Sequence, residues 1–245
     1  MSEQKFAIVS GASSGIGRAA AEALLNAGWV VGLVARREAL LAEIVRKHDM
    51  AVALPGDVTE PGDVEAAVGQ FVTQTNRIDL LFNNAGIFSP QKPVDEVSVE
   101  EWTRAVSVNL TGMFLMARAC FGQMRRQQPP GGRIINNGSI SAHSPREGAV
   151  CYTATKHAIT GLTKSISLDG RPFDIACGQI DIGNAHTELV DTLVQAAKAQ
   201  GNPPPPTMDV SHVAEAVLAM AELPPDANVQ FMTIMATKMP FVGRG

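Results

Sequence analysis

The chain has 245 residues, 45% hydrophobic and 18% charged, a globular composition that excludes disordered, collagen-like and coiled-coil chains. Twenty basic residues against 24 acidic ones give a net charge of −4, which excludes a broad nucleic-acid-binding surface. Three scattered cysteines (Cys120, Cys151, Cys177) and five scattered histidines fit neither a disulfide framework nor a structural zinc site, so no metal is expected. No apolar run approaches the roughly 18 residues of a membrane span, and no signal-peptide core precedes the first glycines. A cytoplasmic protein with no membrane or nucleic-acid partner is expected.

In chain order, residues 5–10 (KFAIVS) predict a strand and residues 15–26 a helix closed by Gly28. A strand is expected over 29–34, a helix over 38–48 and a short strand over 51–54. Thr59 is placed to cap a helix with Pro61 in its first turn and Asp63 and Glu65 near its positive end. Residues 78–82 (IDLLF) predict the next strand, and Ser98 with Glu101 has the spacing of a capping box opening a long helix to about Arg126. A strand over 133–137 follows the Pro-Pro-Gly-Gly stop, then a helix over 151–168 and a strand over 174–180. Helices near 188–199 and 210–222 and a last strand over 229–235 complete the pattern. Continuous apolar strands separated by helices predict an α/β fold: one domain over 1–245, a doubly wound parallel sheet of about seven strands covered on both faces. The four prolines at 203–206 are either a plain connector or the rim of a substrate lid near 184–206.

The first strand runs into SGASSGIG, which places Gly11, Gly15 and Gly17 in a strand-to-helix turn together with Ser13, Ser14 and Ile16. Glycine there permits a tight turn and close approach of a pyrophosphate, and the helix N-terminus adds unpaired N–H donors and a positive dipole end. Further along, YTATK sets Tyr152, the only tyrosine, and Lys156 one turn apart on one helix face. A phenol with a pKa of about 10 is a poor base at neutral pH, and a neighbouring cation favours its phenolate. By spacing alone the pair reads first as a core tyrosine and a solvated lysine.

The glycine turn, Asp57 after the third strand, Asn83-Asn84-Ala85-Gly86 closing the fourth, and Tyr152 with Lys156 occur in this order, and the chain resembles the short-chain dehydrogenase/reductase family over about residues 5–181. The resemblance implies a Rossmann-type fold that binds NAD(P)(H), with substrate at the carboxyl ends of the strands. It implies catalytic roles for Tyr152, for Lys156 as the cation that lowers the phenol, and for Ser139, thirteen residues before the tyrosine, with Ser141 as the competing serine. It also matches Asn109, which breaks helix propensity together with Gly112, to an asparagine that holds a water in the proton relay.

For the cofactor, the resemblance implies adenine contacts from Asp57 and Val58 and adenosine contacts from Asn83, Ala85 and Gly86. The family's acidic position at the end of the second strand falls on Ala35, followed by Arg36 and Arg37. A carboxylate there accepts from a ribose hydroxyl, whereas arginine accommodates a 2′-phosphate. NADP(H) is therefore expected to be preferred, with NAD(H) as the alternative. The family's Pro-Gly turn falls on Cys177 and Gly178, the backbone contact to the nicotinamide amide on Ile180, and the usual threonine on Ile182, with Thr187 as an alternative hydroxyl.

The implied activity is hydride transfer between nicotinamide and an alcohol or ketone through a Tyr-Lys-Ser-Asn relay. A non-catalytic nucleotide-sensing protein on the same fold is the alternative. Substrate walls are expected at 87–93, 140–150 and 184–206, where His143 and Arg146 either meet an anionic substrate or belong to a solvated loop. A homotetramer or homodimer is expected; Met113, Phe114, Ala117 and Phe121 on the long helix face either a partner or their own core.

Overall fold

Strand β1 (Phe6–Ser10) feeds helix α1 (Gly15–Asn26), β2 (Val30–Ala35) feeds α2 (Glu38–Val45), and β3 (Ala51–Pro55) feeds α3 (Pro61–Thr75). After β4 (Leu80–Asn83) come α4 (Val99–Val106) and α5 (Gly112–Arg126), joined without a break by a π-helical turn at Ser107–Thr111. Strand β5 (Gly132–Asn137), α6 (Val150–Gly170), β6 (Ile175–Ile182), α7 (Val210–Ala221) and β7 (Phe231–Ile234) follow. This computed structural model describes residues 4–187, 190, 194, 201 and 203–242. Apart from residues 190 and 194, the helix expected over 188–199 lies outside the described residues, and so does part of the expected lid.

The described strands form one seven-stranded sheet in the order β3-β2-β1-β4-β5-β6-β7, every pair parallel. Successive strand residues face opposite sides, and both sides are covered. Thus Ala7 and Val9 of β1 join a core with Leu24, Leu41 and Met220, while Ile8 joins another with Phe71, Met116 and Cys120. Burial on both faces is why the strands read as continuous apolar runs. Strand order reverses between β1 and β4, so the loops leaving them diverge and open a crevice at the carboxyl edge.

The Ser98–Glu101 capping box is present, with both reciprocal bonds made. Thr59 does not cap α3: Glu60 holds the cap position, and the Thr59 N–H and hydroxyl both donate to Asp57 Oδ1. The 28-residue run Val99–Arg126 is, by length and composition, apolar enough to cross a membrane, contrary to the expectation from uninterrupted apolar runs. It lies on the sheet with Ala105, Met113, Met116 and Cys120 buried. Met113 and Ala117 therefore face their own core, Phe121 meets Phe173 edge-on, and Phe114 stays exposed.

Candidate active site

A cleft of about 550 Å³ opens at the carboxyl edge of the sheet, where the β1 and β4 loops part. It gathers Gly11, Ser13, Ser14, Gly15 and Ile16 from the glycine turn, Arg36 and Arg37 after β2, and Asp57 and Val58 after β3. Ala85 and Gly86 after β4, Tyr152 and Lys156 on α6, and Thr187 complete the set. Ser14 caps α1 without a side-chain bond, so the first-turn N–H groups of the helix are left for a ligand. Gly11 adopts φ 69°, open to glycine at little cost. A Cβ on Gly17 would strike the Gly11 carbonyl oxygen and Asn84 Nδ2, so Gly17 packs the turn against the β4 exit and does not line the cleft. This cradle fits the pyrophosphate of a dinucleotide.

At the far end of the cleft Arg37 folds back over the turn. Its Nη2 donates to Ser13 Oγ at 2.9 Å and to Ser14 Oγ at 2.6 Å. Arg36 Nη1 lies 3.5 Å from Asp57 Oδ2. Burial raises the Asp57 carboxyl, but the Thr59 N–H and hydroxyl and the Arg36 guanidinium outweigh it and leave the pKa lowered. Two guanidinium groups and two hydroxyls thus surround the end of β2, where Ala35 supplies no carboxylate.

The α6 helix presents Tyr152 in its first turn and Lys156 one turn later. Lys156 is buried, and its Nζ donates to the Asn137 carbonyl at 2.7 Å and sits 5.5 Å from the Tyr152 ring centre. Ser139 leads the short 3-10 turn Ile140–Ala142. Its Oγ accepts from the Ser141 N–H at 3.1 Å, which leaves the hydroxyl proton to donate, and this hydroxyl acts to lower the Tyr152 phenol. Ser141 is thus the residue that orients Ser139. Burial pushes the Tyr152 phenol above its usual value, and the Ser139 hydroxyl and Arg146 pull it back only in part. Lys156 is not among the groups that shift the phenol. The Lys156 ammonium itself is brought down to about 8 by burial, with Asp181 opposing.

Like Gly17, the expected site residues Asn83, Asn109, Ser139 and Ile180 are not among those lining the cleft. Asn83 is buried and donates to the Met113 carbonyl at 2.7 Å and to Asn136 Oδ1 at 3.3 Å, because strand alternation turns Asn84 outward in its place. Ile180 is fully buried in β6, opposite Asn137 and Met232. The strand runs on to Ile182, so Cys177 and Gly178 are interior and the turn comes at Gly183, which with Ile182 lines the cleft. Asn109 is buried in the π-helical turn. Its Oδ1 accepts from Ile87 N at 2.7 Å, and its Nδ2 donates to the Ile87 carbonyl at 3.0 Å and to Thr155 Oγ1 at 3.3 Å. That side chain is committed to clamping the β4 exit to α6. The π turn that carries it is a local irregularity common at functional sites.

Phe88 falls in the wall expected over 87–93 and meets Tyr152 at a tilt, with ring centres 4.7 Å apart; one residue, Asp181, escaped the sequence reading. Asp181 is a buried acid that, with Gln179, interrupts the apolar run IACGQIDI, and that breach of pattern was the available signal. Among the described residues no group of three or more His, Cys, Asp or Glu side chains could hold a metal ion.

A family model described as short chain dehydrogenase matches residues 5–198. The chain belongs to the short-chain dehydrogenase family. This dehydrogenase is 30% identical over 213 residues to a 3beta-hydroxysteroid dehydrogenase of Mediterraneibacter gnavus, covering 82% of this chain and 76% of that protein. Among solved structures it superposes with a TM-score of 0.89 and 25% identity on the closed form of serine dehydrogenase complexed with NADP+, covering 98% of each chain. It also matches a 3-ketoacyl-(acyl-carrier-protein) reductase from Brucella melitensis complexed with NADH, with a TM-score of 0.85 and 25% identity over 97% of this chain and 99% of the other. The dehydrogenase is thus a nicotinamide-dependent oxidoreductase of hydroxyl and carbonyl groups on the Rossmann-type sheet described above.

Proposed function

We propose that the protein is an NADP(H)-dependent oxidoreductase that interconverts a small-molecule alcohol and the corresponding ketone, with Tyr152 as its acid–base. The observation that carries this reading is the placement of Tyr152, with Lys156 one turn on, in the same cleft as the Arg37–Ser13–Ser14 cluster. When bound, the nicotinamide supplies or accepts the hydride at the substrate carbon. In the oxidative direction the substrate hydroxyl proton passes to the Tyr152 oxygen, and in reduction Tyr152 returns it. Ser139 donates to the same substrate oxygen and holds it against Tyr152. Lys156, predominantly cationic at neutral pH and anchored on the Asn137 carbonyl, holds the ribose and supplies positive charge beside the phenol. Arg36 and Arg37 take the 2′-phosphate as charge-assisted partners. Assembly into a dimer or tetramer uses the exposed aromatic face of the long helix, with Trp102 and Phe114.

A panel of alcohols and ketones, followed by nicotinamide absorbance, tests the reading against the variant Tyr152→Phe. Phenylalanine still packs on Phe88 but carries no proton, so turnover falls by about 10² to 10⁴ while NADPH binding is retained. Turnover near that of the unaltered protein would remove Tyr152 from the chemistry.

A further inference from the structure

Asp181 stands at the end of β6, wholly buried behind the catalytic hydroxyls, and none of the roles above uses it. Its Oδ1 accepts from the Ser139 backbone N–H at 2.9 Å and from Gln179 Nε2 at 2.7 Å. Its Oδ2 lies 2.7 Å from His143 Nε2, on a ring whose side chain is 43% exposed. Gly138 has no room for a side chain because Asp181 Oδ1 and Gln179 Nε2 press against it. The carboxylate is therefore wedged against the backbone that carries Ser139, and Ser139 Oγ is locked in turn by the Ser141 N–H. A buried carboxylate is costly to retain in a strand where an apolar residue would pack.

We propose that Asp181, with His143 on its outer oxygen, is the positioning pair of the active site: it holds the Ser139 backbone and so fixes the hydroxyl that meets Tyr152. The proposal deepens the acid–base reading of Tyr152 and rests on it. The titratable and charged groups around this pair are Tyr152 and Lys156 on α6 and Arg146 in the loop that carries His143; β7 sets the uncharged Thr233 opposite Asp181. The negative charge of Asp181 raises both Tyr152 and Lys156, whereas the Ser139 hydroxyl lowers Tyr152. Charge and hydrogen bond thus act on Tyr152 with opposite signs, and variants can separate them.

Because Tyr152 is the only tyrosine, tyrosinate absorbance reports it directly, without substrate or cofactor. It is read immediately after a pH jump, before the chain unfolds, with Tyr152→Phe as the blank. Asp181→Asn keeps an acceptor for the Ser139 N–H and removes the charge, so Tyr152 titrates lower by about half a unit or more. His143→Phe strips the outer oxygen, loosens the Ser139 anchor and leaves the charge less compensated, so Tyr152 titrates higher. His143→Gln supplies an amide donor and restores the original midpoint. His143 is half-exposed, so its variants decide the matter even if Asp181→Asn does not fold; shifts of opposite sign are not what a purely structural role produces. Midpoints unchanged in Asp181→Asn and His143→Phe overturn the proposal. This readout needs no turnover, so it stands or falls separately from the effect of Tyr152→Phe on activity.

Discussion

The Lys156 ammonium donates to the Asn137 carbonyl at 2.7 Å, at the end of the strand that also delivers Ser139. One carbonyl thus fixes the cation beneath Tyr152, and a buried cation satisfied by a neutral acceptor is an unstable bargain for the fold. Its pKa, about 8 against an ordinary 10.5, measures the conflict.

That conflict predicts a stability gain from Lys156→Met. A lysine whose folded pKa is depressed binds fewer protons in the native state, so stability rises with pH between about 8 and 10.5 and the penalty is fully felt below about 8. At roughly 1.4 kcal/mol per pKa unit the penalty is about 3 kcal/mol near neutral pH, less the lost bond to Asn137. Lys156→Met is expected to melt at a higher temperature than the unaltered protein at pH 7, with the gap closing toward pH 10, and to lose turnover. A lower melting temperature at pH 7 would contradict the assignment.

The proposed preference for NADP(H) is tested at Arg37. Arg37→Ala is expected to weaken NADPH by about ten- to a hundredfold, the worth of a charge-assisted bond of roughly 1.5–3 kcal/mol, and to leave NADH nearly unchanged. Ala35→Asp is expected to reverse the preference, since a carboxylate repels a 2′-phosphate and accepts from a ribose hydroxyl. Both contrasts should shrink at high salt. Fluorescence titration of the two reduced cofactors checks this, and equal binding by the unaltered protein would move the assignment to NAD(H).

Asn109→Ala removes the amide that satisfies both backbone groups of Ile87. Leaving those groups without partners costs about 1–3 kcal/mol. The loop that carries Phe88 then loosens against Tyr152, so turnover falls while the far, adenosine end of the cleft keeps its grip on cofactor. Urea denaturation reads the first effect, and comparison of the rate with NADPH affinity reads the second. A stability equal to the unaltered protein's would show that water replaces the amide without loss.

The order of elements, the parallel sheet and the glycine turn were legible in the sequence because each is written in local terms. Two-sided burial makes apolar runs, Ser98 and Glu101 meet within one helical turn, and Gly11, Gly15 and Gly17 are neighbours in the chain. Tyr152 and Lys156 were legible for the same reason, being one turn apart on α6. What separate elements do to one another was not legible. No local rule turns Asn84 rather than Asn83 toward the cleft, ends β6 at Ile182 rather than Ile180, or lays Arg37 across Ser13 and Ser14. Nor does one reveal that Asn109 is spent on Ile87, or that Asp181 reaches Ser139 across 42 positions of sequence. Those outcomes depend on strand register and on which buried polar atoms find partners, and both are settled only when the whole sheet closes around them.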